Sequence, residues 1–331
     1  MGVRLAATIV RCLFWILLAG LSAWCIAALA IDGPGAWRWL LLGLYLLALF
    51  CILWRGRAWA RRLLSIALCG IVLIWWLSLR PSDARIWQKD VDRTAWADIA
   101  GDAITLHNVR NFDYHSEFDY TPRWEERSYL LSDITGLDVS ITYWGSPWIA
   151  HPILSFAFRN GDRLAFSVET RKELGEEYSA LRGFFRRYEL IYIVADERDV
   201  IRLRTNYRQG EEVYLYHTTA SAADARAIFL DYLGSLNQLH ERPRFYNALT
   251  SNCTSNIRIH TAAAAGPTLP PWDWRLLLNG KSDEFAYEHG RLAGDLPFDA
   301  LKAAAHINDA ARAADQAADF SQRIRTGRPG F

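Results

Sequence analysis

Hydrophobic residues follow two different patterns along this chain. Within the first 80 residues they form three uncharged runs, at 12–31, 39–54 and 63–79. Extended by a few flanking residues, runs of this length can cross the hydrocarbon core of a bilayer as helices. From residue 81 onward, short alternating and amphipathic segments take their place, which is typical of a water-soluble fold. The pattern predicts a membrane domain with three transmembrane helices over residues 1–80, followed by a folded domain.

The arginines of the first quarter predict how these helices are oriented. Four arginines lie within residues 55–62, between the second and third runs, whereas the segment between the first and second runs holds one. Because arginine and lysine are enriched in cytoplasmic loops, residues 55–62 and the N-terminus are predicted to be cytoplasmic. Three crossings then leave the residues from about 81 onward outside the cytoplasm, which for a bacterial inner membrane is the periplasm. A cleaved signal peptide is disfavoured because the first run is too long and two further runs follow.

Composition changes this picture only by excluding some classes of protein. The first 80 residues carry eight arginines and one aspartate, a net charge of +7, and the remainder has a net charge of −6. The total of +1 gives no electrostatic footprint for nucleic acid, so no nucleic-acid partner is expected. An aromatic content of 13%, with 15 tryptophans, excludes low-complexity disorder.

Local patterns beyond residue 81 predict a mixture of strands and helices. A helix is expected from an N-cap at Ser221, a short helical entry over 83–100, and a charged, partly helical link over 171–187. An Ala-rich helix is predicted in the tail from residue 298. Alternating or apolar segments predict strands at 104–109, 138–144, 190–195, 200–204 and 213–217.

Residues 151–171 carry the clearest β-hairpin signal. Two apolar faces alternate along its strands, and a three-residue loop that ends at Gly161 sets them against each other. In that register His151 lies opposite Glu169 on the smaller, more polar face. A two-residue turn would instead shift the register by one and oppose His151 to Thr170.

The position of Cys253 is informative because the other four cysteines lie in the apolar runs. The predicted periplasmic domain offers it no partner for a disulfide, so the thiol is either incidental or reactive. Ser251 or Asn252 would cap a helix whose first turn contains Cys253, and prolines at 267, 270 and 271 would end it. The N-terminus of a helix favours a thiolate, and its N–H groups can receive an oxyanion.

Cys253, His151 and Glu169 together supply a nucleophile, a base and a group that orients the base. The backbone N–H of Cys253 and the side chain of Asn252 are candidates for the oxyanion site. Each residue also has a simpler interpretation: His151 starts a strand, and Glu169 pairs with a neighbouring arginine on a solvated face. His260 lies seven residues beyond Cys253, but without a second thiol it does not indicate a metal site. No metal and no cofactor are expected.

Several segments from residue 85 to 295 resemble successive blocks of one family, in the family's order. The family is that of the Lnb-type N-terminal periplasmic domains, which is named after a lipoprotein N-acyltransferase. The membrane segments lie outside the resemblance. The segments that carry it are NVRNFDY at 108–114, WE at 124–125, HPILSFAF at 151–158, SVETR at 167–171, YELIY at 188–192, RLRTNYR at 202–208, FYN at 245–247 and NCT at 252–254.

The resemblance implies an α+β fold, in which three N-terminal transmembrane helices precede a circularly permuted papain-like domain of the NlpC/P60 type. In such a domain the histidine precedes the cysteine, as His151 precedes Cys253. The implied organisation is a membrane domain over 1–80, a periplasmic thiol domain over 81–297 and an Ala-rich C-terminal helix over 298–331. The resemblance also implies Cys253 as nucleophile, His151 as base and Glu169 as orienting group.

The expected function is that of a membrane-anchored cysteine acyltransferase. It would move an acyl chain from a phospholipid, through a Cys253 thioester, to the N-terminal amine of a lipoprotein at the surface of the lipid bilayer. The alternatives are a cell-wall amidase or cysteine peptidase with the same Cys–His pair, and a non-catalytic envelope protein. An apolar groove beside Cys253 favours acyl transfer, whereas a polar open cleft favours a peptidase.

Overall fold

A computed structural model describes the fold over residues 2–265, 273–276 and 279–331, apart from the side chains at positions 3, 253, 262–265 and 276. The chain divides into two compact units. The first consists of Met1–Ser82 with Ser179–Tyr188, and the second consists of Asp83–Tyr178 with Glu189–Phe331. Three apolar helices and a mixed α/β unit agree with the predicted α+β class.

The first unit contains the three helices predicted from the apolar runs. They are α1 (Gly2–Asp32), α2 (Trp37–Arg55) and α3 (Ala58–Ser78), and each is long and apolar enough to cross a membrane. Helix α3 begins earlier than the apolar run suggested, so Arg61 and Arg62 belong to its first turns. The arginine-rich junction is therefore a tight connection between two helices.

Polar contacts hold this unit together at two levels. Between the helices, the hydroxyl of Tyr45 lies 3.4 Å from the sulfur of Cys69, a contact of the kind that joins helices in an apolar medium. At the end of α1, Asp32 accepts hydrogen bonds from the Trp76 indole at 2.7 Å and from the Arg186 backbone at 3.1 Å. This second bond ties residues 179–188 to the apolar helices. These residues belong to the segment predicted to be partly helical, and they contain one 3-10 turn, Arg182–Phe184.

The orientation of the helices stays a prediction with a direct test. Because arginines favour the cytoplasmic side, a reporter enzyme active only in the periplasm should be active when fused after Phe331 and inactive when fused at Arg57. A reporter that fluoresces only in the cytoplasm should give the opposite pair of results at the same two sites. Periplasmic activity of the Arg57 fusion would contradict the predicted topology.

The second unit is built on a mostly antiparallel sheet. In the part of the chain that the structure describes, the strand order is β1-β2-β9-β8-β7-β6-β10, with β5 paired to β2 and a separate β3-β4 hairpin. The strands are β1 (Trp96–Ala100), β2 (Ala103–Arg110), β3 (Asp113–Tyr114), β4 (Tyr120–Thr121), β5 (Trp124–Leu130), β6 (Ile134–Trp144), β7 (Ser146–Phe158), β8 (Arg163–Arg171), β9 (Glu189–Asp196) and β10 (Glu211–His217).

Helices cover both faces of this sheet. On one face Phe156 and Phe166 pack against Phe229 of α5. On the other face Ile153 and Ile193 belong to a core shared with the short helices α4, α9 and α10. The helices of this unit are α4 (Glu197–Arg202), α5 (Ala222–Glu241), α6 (Cys253–Ala265), α7 (Ser282–Glu288), α8 (Phe298–Ala305), α9 (Asn308–Ala313) and α10 (Phe320–Arg323).

Helix α5 confirms the predicted N-cap. The Ser221 hydroxyl accepts the backbone N–H of Asp224, and the Asp224 carboxylate accepts the N–H of Ser221, which completes a capping box. The predicted helical entry over 83–100 is wrong, because Trp96–Ala100 is a strand. Its Trp96 ring stacks on His107 at 3.8 Å, and the Asn237 side chain bonds the backbone of Ala97.

The predicted single helix in the Ala-rich tail is also wrong, since three short helices replace it. Between α8 and α9 the chain turns to pair with the edge of the sheet: the N–H of Ile307 donates to the Val213 carbonyl, and the Asn308 side chain bonds Val213 and Glu211. An open sheet edge carries unpaired backbone groups. The hydrogen bonds that Ile307 and Asn308 make to the edge of β10 therefore favour an interrupted helix over a continuous one.

Candidate active site

The register of the β7–β8 hairpin is the one predicted from the three-residue loop. Leu154 pairs with Phe166 and Ala157 with Arg163, and Gly161 has φ of +93°, a conformation that favours glycine. The ladder runs no further than Leu154, where β7 continues into Pro152, which has no N–H to donate. Beyond this point the side chains of His151, Ser167 and Glu169 join the two strands.

His151 and Glu169 meet at this end of the hairpin. Nε2 of His151 lies 3.0 Å from Oε1 of Glu169 and 2.7 Å from the hydroxyl of Ser167. The Ser167 hydroxyl donates to Oε1 of Glu169 at 2.7 Å. His151 is buried, whereas the Glu169 side chain is 28% exposed. The predicted contact between the two residues is thus present, with Ser167 as a third member.

These partners fix the roles of the two imidazole nitrogens. Glu169 accepts the hydrogen of Ser167, so the serine oxygen and the carboxylate both face Nε2 as acceptors. Nε2 of His151 therefore carries a hydrogen, and Nδ1 is the nitrogen that would take a proton from a substrate or a thiol. The arrangement has the chemistry of a histidine base held by an anion.

Arg204 holds the carboxylate from the other side. It donates to Glu169 at 3.0 Å and to Glu211 at 3.2 Å, and its side chain is buried. Burial acts to raise the pKa of Glu169, but His151, Arg204 and Ser167 outweigh it and hold that pKa well below its usual range. Glu169 is consequently an anion throughout the neutral range.

Arg204 reaches this position because residues 200–204 are not the predicted strand. Asp196 caps α4 by accepting the N–H of Arg198, and a π-helical turn, Leu203–Tyr207, follows. The β-branched Val200 and Ile201 pack into the core from a helix, so their type alone did not specify a strand. Turns of this kind are frequent at functional sites.

Helix α6 begins at Cys253, as predicted, and Asn252 is its cap. Oδ1 of Asn252 accepts the N–H of Ser255 at 2.8 Å, and the Ser255 hydroxyl accepts the N–H of Asn252 at 2.9 Å. Nδ2 of Asn252 donates to the Ala248 carbonyl at 2.7 Å, so the amide oxygen caps the first turn of the helix and the amide nitrogen binds the turn before it. The side chain of Cys253 lies outside the described residues, and its role and the oxyanion role of Asn252 stay predictions.

The two parts of the candidate site approach the sheet from different sides. Strand alternation puts His151 and Glu169 on the face that bears Ile153, which α4 covers, whereas α6 packs against the opposite face through Tyr192. Both parts lie at the same end of the sheet. Glu169 pairs with Ile191 on β9, next to Tyr192, and Phe245, shortly before α6, bridges to Glu189.

A cavity of about 530 Å³ lies on the α6 side of the sheet, within the size range of small-molecule sites. Thr254, next to Cys253, lines it, and so does Pro152 of β7. Because side chains alternate along a strand, the neighbouring His151 side chain points to the other face of the sheet. One face of α6 forms a wall, since its lining residues follow helical spacing. The aliphatic and aromatic part of the lining consists of Leu137, Val139, Ile141, Pro152, Leu154, Ala220, Ile228, Ile257, Phe285, Ala286 and Leu292.

Sequence reasoning missed two members of this site. Ser167 shares the polar face of β8 with Glu169, and that alternation was the signal available for it. Arg204 had no such signal, because the segment that carries it was interpreted as a strand.

Comparison with known proteins supports the resemblance described above. Residues 120–280 match the family model described as the Lnb N-terminal periplasmic domain. The matched range contains His151, Glu169, Asn252 and Cys253. No curated protein and no solved structure matches the chain.

Proposed function

We propose that this Lnb-type protein is a membrane-anchored thiol acyltransferase, which moves an acyl chain from a phospholipid to the N-terminal amine of a lipoprotein. The observation that carries the proposal is the apolar cavity that lies against α6 and is lined by Thr254, the residue after Cys253. An acyl chain gains free energy from burial among aliphatic side chains, about 0.8 kcal/mol for each CH₂ group. The three apolar helices would keep the domain at a bilayer, where both substrates reside.

The first step forms an acyl-enzyme. The Cys253 sulfur attacks the ester carbonyl. His151 lies at the same end of the sheet as the start of α6, and we propose that its Nδ1 takes the thiol proton there. The C–O bond to the glycerol then breaks, and the departing alkoxide takes that proton from His151 to leave as a lysophospholipid. The Cys253 N–H at the start of α6 would stabilise the oxyanion. Glu169 would stabilise the imidazolium and hold its ring orientation.

The second step transfers the chain to nitrogen. The lipoprotein's α-amine attacks the thioester carbonyl and loses a proton to His151. The C–S bond breaks, the sulfur regains a proton, and an amide forms. Water is the competing acceptor, so a dry cavity around the thioester favours transfer over hydrolysis.

Two arginines in the cavity wall favour a phospholipid as the donor. Arg258 of α6 and Arg291 line the same cavity as the aliphatic side chains, and Asp224 is the acidic residue among the described lining residues. Asp224 is bonded to Ser221 in the capping box. Arg258 lies five residues beyond Cys253, about 7.5 Å along the helix. In a glycerophospholipid a comparably short path, on the order of five or six bonds, separates an acyl carbonyl carbon from the phosphorus. Arginine binds phosphate strongly.

A cell-wall amidase with the same thiol and histidine is the second candidate. Its substrate would be a peptide rich in polar groups, and burying these without partners costs free energy. The mostly aliphatic lining therefore favours the acyl chain over the peptide.

The proposal is tested by intact mass measurement on the full-length protein in detergent. After incubation with a phospholipid of known chains, the wild type should gain the mass of one acyl group, and hydroxylamine should remove it. Cys253→Ala should gain nothing, whereas Cys51→Ala, which changes a cysteine of α2, should behave as wild type. Absence of the adduct, together with release of an amine from a cell-wall peptide, would favour the amidase.

The phosphate contact is tested in the same assay with a second donor. Arg258→Gln should slow adduct formation from phospholipid about ten- to hundredfold, as expected for a lost charge-assisted hydrogen bond. It should leave the slower reaction with uncharged diacylglycerol unchanged. Arg312→Gln, at an exposed arginine of α9, is the matched control. Equal effects on both donors would contradict a phosphate contact.

A further inference from the structure

A chain of buried polar side chains lies on the face of α6 away from the cavity. Nδ1 of His260 lies 2.5 Å from Oδ2 of Asp231, and its Nε2 lies 3.0 Å from the hydroxyl of Tyr192. That hydroxyl donates to Oδ1 of Asn256 at 3.0 Å. Nδ2 of Asn256 then donates to the Asn252 carbonyl at 2.7 Å. The chain therefore links α5, β9 and α6 to the residue before Cys253.

Tyr192 is the central donor of this chain. Burial lowers the pKa of His260, against the raising effect of Asp231, so the ring is neutral at neutral pH. Its Nδ1 hydrogen goes to the Asp231 carboxylate, which leaves Nε2 as an acceptor. The one hydroxyl hydrogen of Tyr192 thus faces two acceptors, Nε2 of His260 and Oδ1 of Asn256, at equal distances.

Packing alone does not explain these side chains. Tyr192 and His260 are each 2% exposed, and the Tyr232 ring lies 3.9 Å from the imidazole. Apolar residues of similar volume would fill this space without the cost of burying polar groups. Buried networks of this kind specify one geometry because each lost bond leaves an unsatisfied group.

This network fixes the orientation of one peptide group, the one between Asn252 and Cys253. The Asn252 carbonyl accepts from the Asn256 side chain, from the Asn256 backbone at 3.1 Å and from the Ser255 hydroxyl at 3.1 Å. This carbonyl and the N–H of Cys253 belong to the same planar peptide bond. Fixing the carbonyl therefore also fixes the direction of that N–H.

We propose that Asp231, His260, Tyr192 and Asn256 are positioning residues, which orient the backbone N–H of Cys253 as the oxyanion donor of the acyl-transfer reaction. The inference rests on the proposed function, because it needs an acyl reaction at Cys253. In this proposal His260 supports the helix that carries the nucleophile. It binds no metal and exchanges no proton with the substrate.

Two reactions of the same sulfur separate positioning from general structural support. Acylation by an ester passes through an oxyanion, whereas alkylation by iodoacetamide displaces iodide and forms none. Tyr192→Phe should lower kcat for acylation about ten- to hundredfold with little change in KM, because a misdirected donor weakens the oxyanion site. The rate and pH dependence of Cys253 alkylation should remain those of wild type.

Tyr114→Phe is the matched control, since Tyr114 is equally buried and its hydroxyl contacts Asp199 at 3.4 Å in another part of the unit. It should change neither reaction. Asn256→Leu cuts the chain at its last link and provides the test if Tyr192→Phe does not fold. Parallel loss of acylation and alkylation, or no loss of acylation, would overturn the inference. A wild type that forms no acyl-enzyme would reject the proposed function itself.

Discussion

Replacing Cys253 by serine should abolish acyl transfer, with a loss of about a thousandfold or more, while the protein still folds. A serine hydroxyl stays protonated at the N-terminus of a helix, where a thiol gains stabilisation of its anion from the dipole and the free N–H groups. The cap formed by Asn252 and Ser255 involves backbone and side-chain atoms outside position 253. The helix should therefore begin at the same residue in the variant.

The activation of the thiol is measured separately from turnover. An electrophilic probe should label wild-type Cys253 well below pH 8, whereas an ordinary thiol has a pKa near 8.5. His151→Gln should move labelling to higher pH, because the imidazolium no longer stabilises the thiolate. Cys51→Ser is the control for labelling in the membrane helices. Labelling that follows an ordinary thiol, or that is unaffected by His151→Gln, would contradict the Cys–His pair.

The hairpin was predictable because strand geometry has a strict period of two. Matching the apolar faces of β7 and β8 requires an odd number of loop residues, and the three-residue loop ending at Gly161 places Glu169 opposite His151. The observed pairing of Leu154 with Phe166 confirms this reasoning. The start of α6 was predictable for a similar reason, since Asn252 is a strong N-cap type.

Other parts of the site depend on contacts between residues far apart in the sequence. Arg204 and Glu169 are joined only after α4 and the π-helical turn fold against the sheet, while the local pattern of Val200 and Ile201 favoured a strand. The cavity is likewise built from strands, helices and loops between residues 137 and 292. Local periodicity carries no information about such a surface. The sequence alone therefore could not distinguish an apolar groove from a polar open cleft near the start of α6.

Changing Glu169 to glutamine should lower turnover by about ten- to ten-thousandfold, the range for groups that orient a catalytic histidine. The amide is neutral and presents hydrogens as well as an oxygen towards Nε2 of His151. It can therefore stabilise the wrong tautomer, and it cannot stabilise an imidazolium. Ser167→Ala should have a smaller effect, because Oε1 of Glu169 remains 3.0 Å from Nε2.

Stability should respond to the same substitution, with a definite dependence on pH. In Glu169→Gln, Arg204 loses one of its two carboxylate partners and keeps the other, Glu211. We therefore expect the free energy of unfolding at pH 7 to fall by about 1–3 kcal/mol. Because the pKa of Glu169 is held well below its usual value, the wild type gains stability from this residue above about pH 4.5. It loses that gain as the pH falls through the lower, folded-state value. Glu169→Gln should lose less stability over that acidic interval.

Glu126→Gln is the matched control for both measurements, since Glu126 also contacts a histidine, Nδ1 of His107 at 2.8 Å, but on an exposed surface. Its turnover and acid stability should remain those of wild type, because solvent screens such a pair. Wild-type turnover in Glu169→Gln would remove this carboxylate from the mechanism. A stability loss without a turnover loss would reduce the His151–Ser167–Glu169 cluster to a structural ion pair with Arg204. A large turnover loss in a folded variant is the result that requires the carboxylate to act on the histidine.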